Sequence, residues 1–140
     1  MARKVYSIEA SDYLFKQAQF RFRNHSNVVI LHGESPSMLK DLLPTLTGTI
    51  NFWLDAHYSS GNTYKGIVDS PLVDELRIIF KYLAQFDNFR IFIDDAFYVT
   101  TNEYLEAGYP SMMQLDEICK AHNLSNAVLE NIIMISRAKK

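Results

Sequence analysis

The chain has 140 residues, 48% of them hydrophobic, which suits one domain over residues 1–140 with a real core and excludes a disordered protein. Its 14 basic and 16 acidic side chains leave a net charge of −2, and the basic ones are dispersed as Arg3-Lys4, Arg21 and Arg23, and the tail at 137–140, so no stripe for nucleic acid is expected. Cys119 is the single cysteine, which rules out an intrachain disulfide framework; with no signal peptide and no apolar run of membrane length, the expectation is a cytoplasmic protein with no membrane partner.

A strand is predicted at 5–8, ending in Glu9. Ser11 caps a helix to about Arg23, with Leu14, Phe15, Ala18 and Phe22 on one apolar face. Four apolar residues at 28–31 read as a buried strand, followed by His32-Gly33-Glu34. Ser35-Pro36 reads as N-cap and first turn of a second helix with Met38, Leu39, Leu42, Leu43 and Leu46 along its stripe, ended or kinked by Pro44. A strand at 50–54 stops abruptly at Asp55, and a loop of about a dozen residues follows, long for a compact domain. Ser70-Pro71 opens the most regular helix, with Leu72, Val73, Leu76, Ile79, Phe80 and Leu83 in helical period and Asp74-Glu75 in its first turn. A buried strand at 89–93 ends in Asp94-Asp95. Residues 96–108 are irregular or partly helical. Pro110-Ser111 starts a helix to about His122 that turns Cys119 inward, where a small buried residue is its expected role. Residues 127–129 and 132–135 are two strands, or one bent strand, around Glu130-Asn131.

Strand and helix alternate from Val5 to His122. The expected fold class is therefore α/β, a mostly parallel sheet with helices on both faces and an antiparallel strand near the C-terminus. In such a sheet, chemistry sits beyond the carboxyl ends of the strands. That rim carries Glu9, Glu34, Asp55, Asp94 and Asp95.

An acid ending an early strand can accept both hydroxyls of a ribose, because a carboxylate presents two oxygens to a diol; Glu9 is that candidate. Glu34 and Ser35 lie one strand further out, where an adenine edge could be read. Asp55, Asp94 and Asp95 come from two strands expected to be neighbours. Three converging carboxylates repel unless a cation lies between them, and hard oxygen ligands suit Mg²⁺. His57, with a pKa near neutrality, is the candidate general base beside Asp55. Tyr58, Lys65 and Tyr98 are candidate pocket residues, and 59–61 a candidate lid over a small-molecule substrate. The loop lacks the lysine of a phosphate-binding loop.

The segments VYSIEAS at 5–11, VVILHGES at 28–35, FWLDAHYS at 52–59 and IFIDDAF at 91–97 together resemble the class I S-adenosylmethionine-dependent methyltransferases. The closest look is to bacterial methyltransferase-like proteins with a strand–LDAHYSGG–loop segment. The resemblance covers nearly the whole chain. It implies a Rossmann-like three-layer sandwich with strand order 3-2-1-4-5-7-6 in the family's own numbering. It also implies S-adenosylmethionine as cofactor, with Glu9 on the ribose hydroxyls and Glu34 and Ser35 near the adenine. In the metal-dependent O-methyltransferases of this family, the positions matched by Asp55, Asp94 and Asp95 hold Mg²⁺, which orients a substrate hydroxyl for attack on the sulfonium methyl.

The chain departs from the family at one place. The family's first strand and its Gly-x-Gly-x-Gly turn precede the strand matched by 5–8, and no such turn occurs in these residues. Three arrangements follow: an amino-terminally truncated domain, direct pairing of the 5–8 strand with the 50–54 strand, or another chain filling the gap. Unpaired mid-sheet edges would also favour a homo-oligomer. The functional readings are a methyltransferase, a non-catalytic remnant or interaction module with that fold, and a metal-dependent hydrolase or transferase using the acidic rim.

Overall fold

The structure is a computed structural model that describes residues 3–55 and 70–138. Strands β1 (Val5–Glu9) and β2 (Val28–His32) pair in parallel, with Val5 opposite Val28 and Glu9 opposite His32. Helix α1 (Asp12–Phe22) joins them, and the Ser11 side chain accepts from the Leu14 N–H at 3.4 Å, the predicted cap. The predicted apolar face of α1 is covered in part: Leu14, Phe15 and Ala18 are half-buried, Phe22 is 37% exposed, and no residue of the helix is fully buried.

Helix α2 (Ser35–Leu42) begins one residue earlier than its predicted cap implied. Glu34 occupies the N-cap without a side-chain capping bond, and Ser35 is the first helical residue. The Ser35 hydroxyl is engaged elsewhere, by Glu75. At Pro44 the chain tightens into a 3₁₀ turn, Leu43–Thr45, as a proline inside a helical pattern demands. The helix-end carbonyls find a donor: Gln85 Nε2 donates to the carbonyls of Leu43 at 2.6 Å and Leu46 at 3.1 Å.

The remaining elements are β3 (Gly48–Leu54), α3 (Leu72–Tyr82), β4 (Phe86–Ile93), α4 (Phe97–Thr100), α5 (Met112–Ala121), β5 (Leu124–Leu129) and β6 (Ile132–Arg137). They build a second, four-stranded sheet in the order β3-β4-β6-β5. β4 runs parallel to β3, whereas β6 is antiparallel to both β4 and β5. The C-terminal segment is thus two strands in a hairpin rather than one bent strand, and Glu130 turns it with a left-handed φ of +54°. The α/β class is as expected, but the strands form two sheets. Among the described residues β1 pairs only with β2 and β3 only with β4, so direct pairing of β1 with β3 is not what the chain does.

A single buried cluster joins α2, α3 and α5 to one face of the four-stranded sheet. Leu43, Leu76, Ile79, Ile91, Leu115, Ile133 and Ile135 have no exposed surface. Strand alternation explains the choice of face, since Phe52, Leu54, Ile91 and Ile93 are buried while Trp53 between them is 56% exposed. β1 reaches this cluster through Ile8. Cys119 is buried there, and burial pushes its thiol pKa up, as suits an inert core residue.

Helix α5 has the best-formed start. The Ser111 side chain accepts from the Gln114 N–H at 3.1 Å, and the Gln114 side chain accepts from the Ser111 N–H at 2.8 Å, a reciprocal capping box. Ser111→Ala leaves one helix-end donor without its partner and is expected to destabilise the fold by about 1 kcal/mol, measured by urea unfolding at constant m-value.

Candidate functional site

Rim positions at the carboxyl ends of β1, β2, β3 and β4 carry the predicted residues. At the end of β1, Glu9 is half-buried. Its Oε1 accepts from the Ser11 N–H at 2.8 Å, and its carbonyl accepts from the Gly33 N–H at 3.0 Å. The carboxylate is therefore held by the turn that opens α1. Gly33 permits the sharp exit from β2: its φ is +148°, and a Cβ there would meet Met38 at 3.2 Å. Beside it, His32 stacks on Phe15 with ring centroids 4.5 Å apart. Glu34 is exposed at the α2 N-cap.

The rim beyond β3 and β4 is more elaborate. Asp94 N–H donates to the Leu54 carbonyl at 3.0 Å, which extends the β3–β4 ladder to the acids. The Asp94 side chain then accepts from the Asp95 N–H at 2.9 Å, and Asp95 turns with φ +53°. Asn131, from the β5–β6 hairpin, fastens this turn three times. Its Nδ2 donates to Asp95 Oδ1 at 2.9 Å, its Oδ1 accepts from the Phe97 N–H at 3.1 Å, and its carbonyl accepts from the Ala96 N–H at 2.9 Å. The hairpin that closes the sheet thus also shapes the acidic turn.

Asp55 and Asp94 meet three further polar residues that sequence reasoning did not assign to the site. Ser70, Glu75 and Tyr109 line, with them and with Leu54, Leu72 and Ile93, a cavity of about 10 Å³, the room of one water molecule. Ser70 and Glu75 are the buried polar side chains among the described residues, at 3% and 2% exposure. Ser70 is a node: its N–H donates to the Ala107 carbonyl at 2.9 Å, its Oγ accepts from the Leu72 N–H at 3.3 Å, and its side chain also hydrogen-bonds Tyr109. Burial pushes the Tyr109 phenol up to about 12. The Ser70 hydrogen bond opposes this, and the charges of Tyr98, Asp95 and Asp55 add to it. Tyr109 stacks on Tyr98, centroids 4.9 Å apart at 21°.

Glu75 is an acid whose proton affinity the fold changes. Burial raises its pKa to about 7, against a smaller opposing effect of its hydrogen bond with Ser35. That bond links α3, at the rim of the four-stranded sheet, to the first residue of α2 beyond β2. A sequence signal existed. Leu72, Glu75, Leu76 and Ile79 stand at i, i+3, i+4 and i+7, which puts the acid on the apolar stripe. Asp74 and Glu75 both stand in the first turn of α3 as expected; Asp74 is exposed and pairs with Arg77 at 3.3 Å, whereas Glu75 is buried.

Of the other candidates, His57, Tyr58, Lys65 and the 59–61 loop lie outside the described residues. Glu9, Glu34, Ser35, Asp55, Asp94 and Asp95 stand at strand exits as predicted. Asp55, Asp94 and Asp95 are not gathered as a metal cage, since among the described residues no three His, Cys, Asp or Glu side chains come together to hold an ion. None of the helices among the described residues is long and apolar enough to cross a membrane. Comparison of the chain with models of known protein families gives no match, and comparison with curated proteins gives none.

Proposed function

We propose that this chain is the body of an S-adenosylmethionine-dependent methyltransferase that acts on a hydroxyl of a small molecule. The supporting observation is strand order. β2-β1 and β3-β4-β6-β5, with antiparallel β6 inserted between β4 and β5, follow within each sheet the order implied by the resemblance. In the family the first strand stands between the strands matched by β1 and β3, and the three-layer Rossmann-like arrangement is part of this proposal.

In this reading Glu9 binds the ribose hydroxyls. The Ser11 N–H on Oε1 fixes the plane of its carboxylate, a preorganised acceptor for a diol. Glu34 and Ser35, one strand out, flank the adenine. The cofactor supplies an electrophilic methyl group. Asp55 at the exit of β3 orients the acceptor, and His57 takes the hydroxyl proton. No step is assigned to a metal.

Calorimetric titration of S-adenosylhomocysteine tests the proposal. Binding is expected to weaken at least about tenfold in Glu9→Ala, a loss of about 1.4 kcal/mol or more. A folded chain that binds no S-adenosylhomocysteine would overturn the reading for these 140 residues and favour a domain that keeps the fold for interaction alone.

A further inference from the structure

Arg3, Lys4, Arg21 and Arg23 are scattered in the sequence and gathered by the fold. In a parallel strand–helix–strand unit, the start of β1, the end of α1 and the start of β2 share one end. The Val5 N–H donates to the Asn27 carbonyl at 2.8 Å, and the His25 N–H donates to the Phe22 carbonyl at 2.8 Å. Arg3 and Lys4 thus stand beside the turn that carries Arg21, Arg23 and His25, and all five are exposed. No Asp or Glu precedes Glu9 or lies between Asp12 and Glu34, so the acids of this unit stand at its opposite end. The 11 residues of α1 separate the two ends by about 16 Å. That is twice the distance of about 8 Å over which physiological salt screens a charge, so the acidic rim does not cancel the cationic end. The last turn of α2 adds Lys40 and Asp41, one charge of each sign.

Aromatic rings are interleaved with these cations. Lys4 Nζ lies 5.1 Å from the centre of the Tyr6 ring, the Arg21 guanidinium 5.9 Å from that of Phe22 and the Arg23 guanidinium 4.0 Å from that of Phe20. Among the described residues none of Lys4, Arg21 and Arg23 is in an ion pair. Arg23 also serves the helix end, donating to the Phe20 carbonyl at 2.6 Å. The solvent face of α1 continues the pattern. Tyr13, Lys16, Phe20 and Arg23 stand at i, i+3, i+7 and i+10, which sets ring, cation, ring and cation along one line. Tyr13 is 55% and Phe20 69% exposed, while Lys16 is shared with Asp12 at 2.6 Å.

We infer that this end of the β1–β2 unit binds single-stranded nucleic acid, with the cations on phosphates and the exposed rings on bases. Single strands are held without regard to sequence by this combination, since every base has a π-face and every nucleotide a phosphate. A duplex is a poorer occupant, because its bases are stacked on one another and offer the rings no face. An anionic membrane is disfavoured by the same arrangement. A helix that lies on lipid keeps its apolar and cationic residues on opposite faces, whereas here they alternate along one. An acidic peptide would meet the cations but bring no planar groups to Tyr13 and Phe20. The surface lies at the amino ends of β1 and β2, away from the rim of Glu9 and Asp94, so the inference does not rest on methyl transfer at that rim.

Fluorescence anisotropy of a labelled oligouridylate of about a dozen nucleotides, titrated with the full chain from about 50 to about 200 mM salt, tests this. Binding is expected, and its affinity is expected to fall with salt with a logarithmic slope of about −3, as Arg3, Lys4, Arg21 and Arg23 on the phosphates of a single strand require. Phe20→Ala removes a stacking ring and no charge, so it is expected to weaken binding at least about fivefold and to leave the slope unchanged. Arg21→Gln combined with Lys4→Gln is expected to bring the slope to about half. The substituted side chains are exposed, and an unchanged far-ultraviolet circular dichroism spectrum verifies that each variant is folded. A folded chain that does not bind at about 50 mM salt overturns the inference. So does binding that Phe20→Ala leaves intact, or that polyglutamate or a duplex of the same length matches, since each would reduce the surface to charge alone. Tighter binding to phosphatidylserine vesicles than to the oligouridylate also overturns it, by making a membrane the occupant.

Discussion

Glu75→Gln is expected to stabilise the fold at pH 8 by about 3 kcal/mol relative to the unmodified chain, and to leave stability at pH 4 nearly unchanged. The acid's pKa stands at about 7 in the folded protein against 4.5 for the free group, so between those values the native state binds the proton that the unfolded chain has released. The protonated acid's contribution to stability is fully present below about pH 4.5 and is lost as pH rises through 7. At about 1.4 kcal/mol per pKa unit, the full loss is about 3 kcal/mol. Glutamine keeps the shape and a hydrogen-bonding partner for Ser35 but has no charge to bury. The difference between the two chains cancels the titration of the other carboxylates, so urea unfolding of both from pH 4 to pH 8 isolates this group. Parallel stability curves would show that Glu75 titrates as it does in water.

An acid on the apolar stripe is more than a stability term. Glu75 touches Ser35 at the start of α2 and lines the cavity that Asp55 and Asp94 share. In the proposed enzyme it ties the adenine side of the rim to the acceptor side, so ionisation of Glu75 above neutrality weakens the join between the two halves of the site. That coupling arises from packing of α3 against α2, and neither helix alone announces it.

What was legible in the sequence follows from this distinction between local and tertiary causes. The apolar runs at 28–31 and 89–93 bounded by polar residues gave strands, and Ser11 and Ser111 marked helix starts, because each signal acts within a few residues. Ser35 looked like the same signal and was not, because its hydroxyl serves Glu75 about 40 residues later in the chain and Glu34 takes the cap. The α1 stripe of Leu14, Ala18 and Phe22 has correct helical spacing, and Leu14 and Ala18 are half-buried, but periodicity identifies a face without fixing how deeply it is covered. The strand exits of the site were legible, since an apolar run that stops at an acid is local. The fastening of Asp95 by Asn131 was not, since the hairpin reaches it only through the antiparallel β4–β6 pairing.

Ile91→Ala is expected to cost about 4 kcal/mol, and Leu31→Ala no more than about 2 kcal/mol, although both remove a large aliphatic side chain from a parallel strand. Ile91 is fully buried at the centre of β4, between β3 and β6, inside the cluster formed with α2, α3 and α5. Its truncation loses the whole transfer free energy and leaves a cavity walled by neighbours that are themselves fixed. Leu31 is half-buried in β2, in a two-stranded sheet under a helix with no buried residue. The alanine there loses less burial, and its surroundings can collapse. The same contrast governs local opening. The amides of β1 and β2 are expected to exchange with solvent through openings that cost several kcal/mol less than those of β4 and β6. Equal costs for the two substitutions, with equal protection of both sheets, would show that the first 34 residues are covered in solution by something other than the contacts within one copy.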